Sequence, residues 1–536
     1  MKQFPLFKQA LLLLLSVFLS LSLMAEKRCC DTIAIFAIND FHGAFVRDNN
    51  QGVPGAASIL ETIDSLKSVY PHHVVVASGD NFGGSYFNQT TNGILMPYFF
   101  EALGIRISAL GNHEFDYGQA YLAKKWANTP LCPADWTLRY VCANVRDESG
   151  HVPTFVEPFV TQRVTLPDGH SVNIGFIGLI TSATPWQASA SKLKGLSFDG
   201  RYNAVLDSLQ ALSSYAPMAA ADIRVLLTHI GTTQANSRPV WEDRDAAALK
   251  RIKSKKLHGI FTAHTHQKVC GRINKQKYAV VQGGWHGNHI SILKIAYNTL
   301  KRRIVSVEPE LCPVRPAATL SPKSQHLQTL VDSLLLHTKT PGGTPIGEVL
   351  TTLPRPISHS RAQLLQQTEM GTLVCSSYAE AVRAGLELSE NDVVIGVSHF
   401  GSIRAGFNKG SIRVLDVGEA LPFSNAIKVY KITGSELLRL FKFGLNHTRL
   451  GIMQSANVEV VRDQDGAIES LVYVSPKGHR LPLITDGIYY LAADEYMTLG
   501  GDGYTKDLFP ADREVKADSL PNTTDAFIAF LKNHNF

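Results

Sequence analysis

Residue types that bind metals follow five apolar segments in the first half of the chain. In chain order they are Asp40 with His42, Asp80, Asn112 with His113, His229, and His264 with His266. Mixed carboxylate and imidazole ligation suits zinc, manganese or iron better than calcium or magnesium. One segment alone, such as ALGNHEFD at 109–116, also fits a polar turn that caps the following helix. The recurrence after five apolar segments favours a metal site.

The spacing of these residues indicates how two ions would share them. Asp40 and His42 are two positions apart, so on an extended chain their side chains point the same way and can hold one cation. His264 and His266 repeat this spacing, and the two oxygens of Asp80 can bridge two ions. We therefore expect two ligand sets: Asp40, His42, Asp80 and His266 for one ion, and Asp80, Asn112, His229 and His264 for the other. Each ion could keep an open position for water or substrate.

Two cations bridged by one carboxylate lie about 3.5–4 Å apart, which is a spacing that suits phosphate esters. His113 is not needed as a ligand in this division. Asp116, three residues later, can orient the imidazole, so we expect His113 to stabilise developing charge or to protonate the leaving group. We interpret Glu114 as a carboxylate at the N-terminus of a helix.

Strands and helices that would position these residues alternate along the first 300 residues. We predict buried strands at 32–38, 73–77, 105–110, 172–179, 223–228 and 259–263, and helices at 57–69 and 203–215. The alternation indicates a layered α/β domain. In an open α/β sheet, functional groups gather beyond the carboxyl ends of the strands, so the five loops can converge on one crevice. Two further strands, at 278–282 and 290–297, indicate an antiparallel element that closes the domain.

A change of composition separates this domain from a second one. Proline and glycine recur from 313 to 345, and a helical pattern lies between them at 324–338. We interpret 313–342 as a linker with one helix, between a first domain at 30–312 and a second, smaller domain at 343–536. The second domain has predicted helices at 371–386 and 435–445 and predicted strands at 392–397 and 488–493.

The N-terminus has the pattern of an export signal. Lys2 and Lys8 precede an apolar run at 10–23, and charged residues follow Ala25. The apolar run is shorter than the ~20 residues that a membrane span needs. We expect residues 1–25 to be a signal peptide, and the mature chain to be periplasmic or secreted and to have no membrane span.

The remaining composition is that of a globular protein. The net charge of +6 is small for 536 residues, and Lys and Arg are dispersed, so we expect no nucleic-acid polymer as a partner. The seven cysteines could form disulfides in an exported chain, with Cys132–Cys142 and Cys270–Cys312 as candidate pairs. We expect a monomer or a weak dimer.

The order of these motifs resembles a known family. D-x-H, GD, GNHE, H and H-x-H, in this order, are similar to the calcineurin-like metallophosphoesterase domain. The segments NDFHG and GNHEFD resemble the branch formed by secreted bacterial 5'-nucleotidases and UDP-sugar hydrolases. The resemblance implies an α/β (α+β sandwich) domain followed by a smaller α+β C-terminal domain that binds the nucleoside, and it agrees with the division of ligands given above. One departure is Ala263, where the family usually has glycine.

Two segments of the second domain also resemble this family. By the match of LPFSN (421–425) and YMTLGGDGY (496–504), Phe423 and Tyr496 would stack on the base, and Asp502 would accept hydrogen bonds from ribose hydroxyls. Either ring taken alone fits a core position better than a binding site. Arg404 matches an arginine of the family that lies near the substrate.

Two positions of the second domain depart from the family. His399 stands where the family commonly has asparagine, and Leu364 stands where it has an arginine. Arg361 is nearby and could substitute for that arginine. Both departures affect phosphate and base contacts and leave the metal ligands intact.

The resemblance implies an exported hydrolase with two divalent transition metal ions, either zinc, manganese or iron. We expect it to remove phosphate from nucleoside 5'-monophosphates, with UDP-sugars or other nucleotide pyrophosphates as further candidate substrates. In the family the base site and the metals lie on different domains, so the linker would act as a hinge. Two alternatives remain open, namely a thiohydrolase of sulfur oxidation on the same fold and a non-catalytic nucleotide-binding surface protein.

Overall fold

The computed structural model describes residues 30–48, 52–124, 131–209, 216–242, 249, 257–447, 449–517 and 519–536. The predicted signal peptide at 1–25 lies outside these described residues. None of the helices in the described ranges is long and apolar enough to cross a membrane. The chain forms two compact units, the first comprising Met1–Gly84 and Asn92–Val331 and the second comprising Ser85–Thr91 and Asp332–Phe536.

Strands provide most of the framework of both units. Those of the first unit are β1 (Cys30–Ile38), β2 (His73–Ala77), β3 (Ile105–Ala109), β4 (Arg139–Val141), β5 (Val145–Arg146), β6 (Phe159–Thr165), β7 (Ser171–Ile180), β8 (Ser197–Phe198), β9 (Ile223–His229), β10 (Thr232–Ala235), β11 (Arg238–Trp241), β12 (Gly259–Phe261), β13 (Lys268–Ile273), β14 (Tyr278–Gly283), β15 (His289–Asn298) and β16 (Arg303–Pro313). Those of the second unit are β17 (Val349–Leu353), β18 (Val394–Ser398), β19 (Gly410–Arg413), β20 (Ile427–Thr433), β21 (Gln454–Ala456), β22 (Val458–Arg462), β23 (Ile468–Val474), β24 (Arg480–Pro482), β25 (Ile488–Asp494) and β26 (Glu514–Val515).

Helices connect many of these strands. The α-helices of the described residues are α1 (Ala56–Val69), α2 (Tyr86–Thr90), α3 (Met96–Leu103), α4 (Gln119–Ala123), α5 (Tyr202–Leu209), α6 (Ala216–Ala219), α7 (Pro322–His337), α8 (Glu369–Gly385), α9 (Val414–Ala420), α10 (Gly434–Leu445), α11 (Glu495–Thr498) and α12 (Thr523–Asn533). Short 3-10 helices lie at His113–Phe115, Thr184–Trp186, Arg361–Gln363, Phe400–Ser402, Gly501–Gly503, Lys506–Leu508 and Ala511–Arg513. The predicted helix at 203–215 corresponds to α5, and its last residues, 210–215, lie outside the described residues.

The first unit is a sandwich of two six-stranded sheets. Their strand orders are β16-β15-β1-β2-β3-β4 and β13-β14-β12-β9-β7-β6. One core contains buried side chains from both sheets, including Ile35 and Ile107 from the first and Val225 and Phe261 from the second. The expected α/β sandwich is therefore present. The antiparallel closure is also confirmed, because β15 pairs antiparallel with both β1 and β16.

Burial on both faces explains why β1 is apolar without interruption. Ile33 to Ile38 are all fully buried, and alternate residues from Ile33 onward belong to the core between the sheets. A strand that is covered on only one face would alternate apolar and polar residues instead. The polar residues Asn39 and Asp40 begin where this run ends, so the end of the strand determines where the functional loop starts.

Parallel pairing within each sheet aligns the strand ends that precede the candidate ligands. Ile38 of β1 pairs with Ala77 of β2, and Ala77 pairs with Ser108 of β3. In the other sheet, β9 and β12 are parallel neighbours. The five segments thus come from both sheets of the sandwich. Strands that are buried on both faces can pack sheet on sheet as well as under helices.

The second unit contains a five-stranded sheet with the order β21-β18-β25-β20-β26. The pair β17-β19 and the sheet β22-β23-β24 are smaller. Val397, Leu440 and Leu491 belong to its core. A capping box between Thr433 and Glu436 begins α10, which packs its apolar side on this core.

The cysteines that the structure describes do not form the candidate disulfides. Cys132, Cys142, Cys270 and Cys312 are free thiols. Cys142 is fully buried between strands, and its Sγ lies 3.5 Å from Oδ1 of Asn144. Cys132 is partly exposed in a loop. Neither candidate pair is joined in the structure.

Candidate functional site

The structure brings the predicted ligands of the first unit into overlapping groups. These groups are Asp40 with His42 and His266, His42 with Asp80 and His113, and Asp80 with His229 and His264. Within each group the candidate ligand atoms lie within 4.8 Å of one another. The first group matches the first set expected from sequence, except that it does not include the shared Asp80. The third group matches the second expected set, except that it does not include Asn112.

In the first group, two imidazoles and a carboxylate face the same space. His42 Nε2 and His266 Nε2 are 3.1 Å apart, and His266 Nε2 lies 3.5 Å from Asp40 Oδ1. Asp40 accepts hydrogen bonds from the His264 N–H at 3.0 Å and from the Asn39 side-chain amide at 2.7 Å. These contacts fix the carboxylate while its neighbours converge on it. Such a donor set suits a transition metal cation.

In the third group, a buried imidazole faces a buried carboxylate. His229 Nδ1 donates to the Ser78 carbonyl at 2.9 Å, which leaves Nε2 free to bind an ion. That Nε2 lies 3.0 Å from Asp80 Oδ2. Burial lowers the pKa of His229, but the negative charges of Asp80, Asp40 and Glu114 together outweigh this effect and raise the pKa to about 10. The negative charge of the pocket therefore attracts a cation.

Asn112 contributes a buried oxygen beside this group. Its Oδ1 has no hydrogen-bond partner among the described residues. The N–H of the adjacent His113 donates to Asp80 Oδ1 at 2.8 Å, so the Asn112 segment lies against Asp80. A buried amide oxygen without a partner costs free energy unless a bound ion or water satisfies it. This orphaned oxygen fits the expected ligand role.

Five of the predicted ligands have a left-handed backbone. Their φ angles are 47° for Asp40, 51° for His42, 51° for Asp80, 78° for His264 and 57° for His266. Side chains other than glycine rarely adopt this conformation, and it persists where surrounding contacts hold it. Each turn lets the chain reverse sharply after a strand and direct its side chain into the shared space. These five candidate ligands therefore carry backbone strain.

His113 and Asp116 form the pair that the sequence predicted. His113 Nδ1 lies 2.8 Å from Asp116 Oδ2. Burial lowers the pKa of His113, but Asp80 and Asp116 raise it to about 9. The His113 ring lies at 5.1 Å from the His42 ring, measured between centroids, so it borders the candidate metal site.

Glu114 lies in the first turn of a helix, as expected, but its carboxylate contacts other loops. It lies within the 3-10 helix His113–Phe115 and is fully buried. Its carboxylate accepts hydrogen bonds from the backbone N–H groups of Asp80, Asn81 and Gly111, at 2.7, 2.9 and 2.8 Å. Glu114 therefore joins the Asp80 loop to the Asn112 loop and does not cap a helix. Two of its partners lie more than thirty positions earlier in the chain, so the local sequence pattern could not identify them.

Sequence reasoning also missed an aromatic contact beside the ligands. The Trp285 ring stacks on the His266 ring with centroids 5.1 Å apart and an angle of 11° between planes. It also stacks on His286 at 3.8 Å, and the His286 N–H donates to the Asp40 carbonyl. The motif GGWHG carries no metal-ligand spacing that would have signalled this contact.

The second unit contains a cavity of about 490 Å³. Its lining includes the predicted substrate residues Arg404, Phe423, Tyr496 and Asp502, together with Arg361, Leu364 and His399. Phe423 is 56% exposed and Tyr496 is 46% exposed, which excludes the core position that the sequence left open for both rings. The volume lies within the range of small-molecule sites.

Charged groups surround the two aromatic rings. The Arg404 guanidinium lies 5.9 Å from the Phe423 ring centroid. Burial lowers the pKa of Arg404, and the nearby charge of Arg361 lowers it further. Arg361 thus brings a second positive charge to the cavity that Leu364 also lines. Asp502 Oδ1 accepts a hydrogen bond from the Tyr496 hydroxyl at 3.3 Å.

Comparison with known families matches both units. Residues 33–268 match the family described as calcineurin-like phosphoesterase, and residues 345–507 match the 5'-nucleotidase C-terminal domain. The two matches include all the candidate ligands and all the candidate substrate residues named above. Phosphoesterases of this family require divalent metal ions, in agreement with the ligand groups in the first unit.

Individual relatives extend over most of the chain. The trifunctional nucleotide phosphoesterase protein YfkN of Bacillus subtilis is 22% identical over 88% of this chain, which spans only 33% of the YfkN length. Protein UshA of Yersinia enterocolitica is 24% identical over 91% of this chain and 89% of its own length.

A solved structure supports the fold. The 5'-nucleotidase precursor of Thermus thermophilus is similar with a TM-score of 0.62 and 21% identity, over 94% of this chain and 96% of that chain. At this identity the likeness concerns the fold alone. Both domain matches occur in the order that the motifs predicted, so this chain belongs to the 5'-nucleotidase family, in which a calcineurin-like phosphoesterase domain precedes a 5'-nucleotidase C-terminal domain.

Proposed function

We propose that this protein is a metal-dependent phosphoric monoester hydrolase that removes phosphate from nucleoside 5'-monophosphates. The observation that carries the proposal is the convergence of carboxylate and imidazole groups around Asp40 and Asp80. UDP-sugars and other nucleotide pyrophosphates are further candidate substrates, because the same chemistry hydrolyses their phosphate linkages.

Two divalent transition metal ions fit the residues present. Asp40, His42, Asp80 and His266 would hold one ion, and Asp80, Asn112, His229 and His264 would hold the other. The orphaned Oδ1 of Asn112 and the free Nε2 of His229 support this assignment. When bound, such ions supply Lewis-acid stabilisation of the phosphoryl oxygens. Zinc, manganese and iron are the candidates, because the donor set contains several imidazoles.

His113 and Asp116 would act on the phosphate without binding a metal. Asp116 accepts from His113 Nδ1 at 2.8 Å, which fixes the ring and presents Nε2 to the site. That nitrogen can donate a hydrogen bond to a phosphoryl oxygen or a proton to the leaving oxygen. Preorganised donors of this kind stabilise charge that develops in the transition state.

The cavity of the second unit would bind the nucleoside. Phe423 and Tyr496 are exposed enough to stack on a base, which tolerates any base because every base has a flat face. Asp502 would accept hydrogen bonds from the ribose hydroxyls. Arg404 and Arg361 supply positive charge for the anionic part of the substrate.

A substrate panel with metal analysis tests the proposal. The protein is purified, its bound metals are measured, and hydrolysis of AMP, UMP, UDP-glucose and an artificial phosphodiester is followed with added manganese or zinc. We expect release of phosphate from AMP and UMP. Hydrolysis of the artificial phosphodiester with all three nucleotides left intact would refute the nucleotide assignment, and absence of any bound transition metal would favour a non-catalytic binding protein.

A thiohydrolase on the same fold is less well supported. The exposed ring pair Phe423 and Tyr496, with Asp502 beside them, favours a nucleoside over a cysteine adduct of a carrier protein. We also propose that the chain is exported, on the basis of the sequence at 1–25. Cell fractionation and N-terminal sequencing of the mature protein test this, with a start after Ala25 as the expected result.

A further inference from the structure

His399 lies at the nucleoside cavity and is itself buried. It is 6% exposed and lies among the residues that line the cavity. Its Nδ1 is 2.8 Å from Asp502 Oδ2. Because a carboxylate can only accept, Nδ1 carries the hydrogen and donates it to Asp502. This contact joins residues that are 103 positions apart in the sequence.

A second carboxylate lies on the other side of the ring. His399 Nε2 is 3.6 Å from Asp494 Oδ2, and Asp494 is fully buried. Asp494 Oδ1 accepts from the Met497 N–H and the Asn425 side-chain amide, each at 3.3 Å. Asp494 Oδ2 has no hydrogen-bond partner among the described residues. The imidazole thus lies between a buried carboxylate and the carboxylate that faces the cavity.

Packing holds the ring in this position. The His399 and Tyr496 rings are 5.0 Å apart between centroids, with 37° between their planes. A Cβ atom at Gly401 would lie 3.2 Å from His399 Nδ1 and 3.3 Å from Asp502 Oδ2, so glycine leaves the room that the pair occupies. Asp502 has a left-handed backbone, with φ of 52°, which a firm side-chain contact helps to maintain.

We propose that His399 is a positioning residue for nucleoside binding, which holds the Asp502 carboxylate in the orientation that accepts hydrogen bonds from the ribose hydroxyls. The inference rests on the proposed function. The imidazole takes one lone pair of Oδ2 and the Tyr496 hydroxyl takes one of Oδ1, so each oxygen keeps a lone pair for the ribose. Without the imidazole, the Asp502 carboxylate would turn to solvent. The site would then distinguish less well between nucleosides with and without ribose hydroxyls.

Replacement by asparagine and by alanine separates this role from simple packing. The Nδ2 atom of asparagine is the same number of bonds from Cα as Nδ1 of histidine, so His399→Asn keeps a donor that can reach Asp502. His399→Ala removes the donor. His359 provides a matched control, because it is a buried histidine of the same cavity that contacts Thr368 and Phe400.

The test compares AMP with 2',3'-dideoxy-AMP, which lacks both ribose hydroxyls. For His399→Ala we expect KM for AMP to rise about tenfold, while kcat and the KM for the dideoxy compound change less than about twofold. His399→Asn should retain most of the discrimination, and His359→Ala should change KM for both substrates by the same factor. Thermal unfolding of each variant shows that the fold is retained.

Two outcomes would overturn the inference. One is an equal rise of KM for AMP and its dideoxy analogue in His399→Ala, and the other is unchanged discrimination in that variant. If the wild-type protein does not hydrolyse AMP, the proposed function fails, and the inference is then tested by calorimetric titration with adenosine and 2',3'-dideoxyadenosine. In that titration, equal affinity of the wild-type protein for the two nucleosides would refute it.

Discussion

At the scale of single residues, Gly83 leaves room for the contact between His113 and Asp116. Its φ is +62°, and a Cβ atom there would overlap Asp116 Oδ2 and lie 3.1 Å from His113 Cβ. Both atoms belong to the pair that would act on the phosphate. The absence of a side chain at Gly83 therefore lets Asp116 reach His113.

We expect Gly83→Ala to lower kcat about 100-fold with the metal content unchanged, because a displaced Asp116 would no longer orient His113. Phosphate release and metal analysis measure the two quantities. Gly52→Ala is the matched control, because Gly52 has a similar φ of +69° and no atom within 4 Å of the added Cβ. Wild-type activity of Gly83→Ala would show that the pair is not needed.

Asn112 and His113 are neighbours with different expected roles. We expect Asn112→Ala to lose part of the bound metal, because it removes the buried Oδ1 that has no other partner among the described residues. His113→Ala should keep the metal and lose about 100- to 10,000-fold in kcat, the range for a general acid. Elemental analysis and steady-state kinetics distinguish the two variants. A fully active His113→Ala variant would show that His113 does not act as a general acid.

At the scale of elements, a part-buried hydrogen bond attaches the short helix α2 to α9. The Tyr86 N–H at the start of α2 donates to Glu419 at 2.7 Å. A Cβ atom at Gly418 would overlap the Tyr86 ring, so the two elements touch closely. Burial raises the pKa of Glu419 to about 8, and the nearby charge of Asp416 contributes in the same direction.

This pKa predicts how stability changes with pH. The pKa of Glu419 in the folded chain is above the ordinary value of 4.5, so its stabilising contribution is complete below pH 4.5 and is lost as the pH rises through about 8. We expect the difference in free energy of unfolding between the wild type and Glu419→Gln to change by roughly 2 kcal/mol across this interval, a value reduced for the partial exposure of the side chain. Urea unfolding at several pH values measures it. A difference that is constant with pH would contradict the assignment.

At the scale of the whole molecule, the candidate metal ligands come from both sheets of the first unit. Asp40, Asp80 and Asn112 follow strands of one sheet, whereas His229 and His264 lie at the ends of strands of the other. A bound ion would therefore link the two sheets of the sandwich. Its binding free energy would add to the stability of the first unit.

We expect added manganese or zinc to raise the unfolding temperature of the metal-free protein. Binding that is saturated about 100-fold above Kd contributes about 2.7 kcal/mol per site. Calorimetry of the chelator-treated protein, with and without metal, measures the shift. Asn112→Ala should show a smaller shift, and Asp502→Asn, in the second unit, should show the wild-type shift. No shift with zinc, manganese or iron would argue against the metal site.

Local patterns in the sequence predicted most elements of the fold. The strand predicted at 73–77 is β2, and the helix predicted at 57–69 is α1 with one more residue. These segments were predictable because a β-branched apolar run or a helical apolar spacing is itself the cause of the element. The residues that follow each run, such as Asp40 and His42, were predictable because their types and spacing suit a metal.

The sequence by itself determined which residues can do chemistry and at which strand ends they lie. Only the tertiary structure decided their partners, such as Glu114 with the Asp80 loop and His399 with Asp502. It also decided that the strands form two sheets and that the candidate cysteines remain free. The physical reason is that propensity and periodicity act over a few neighbouring residues. Contacts between distant segments depend on how the sheets and loops pack, and a single sequence does not reveal this.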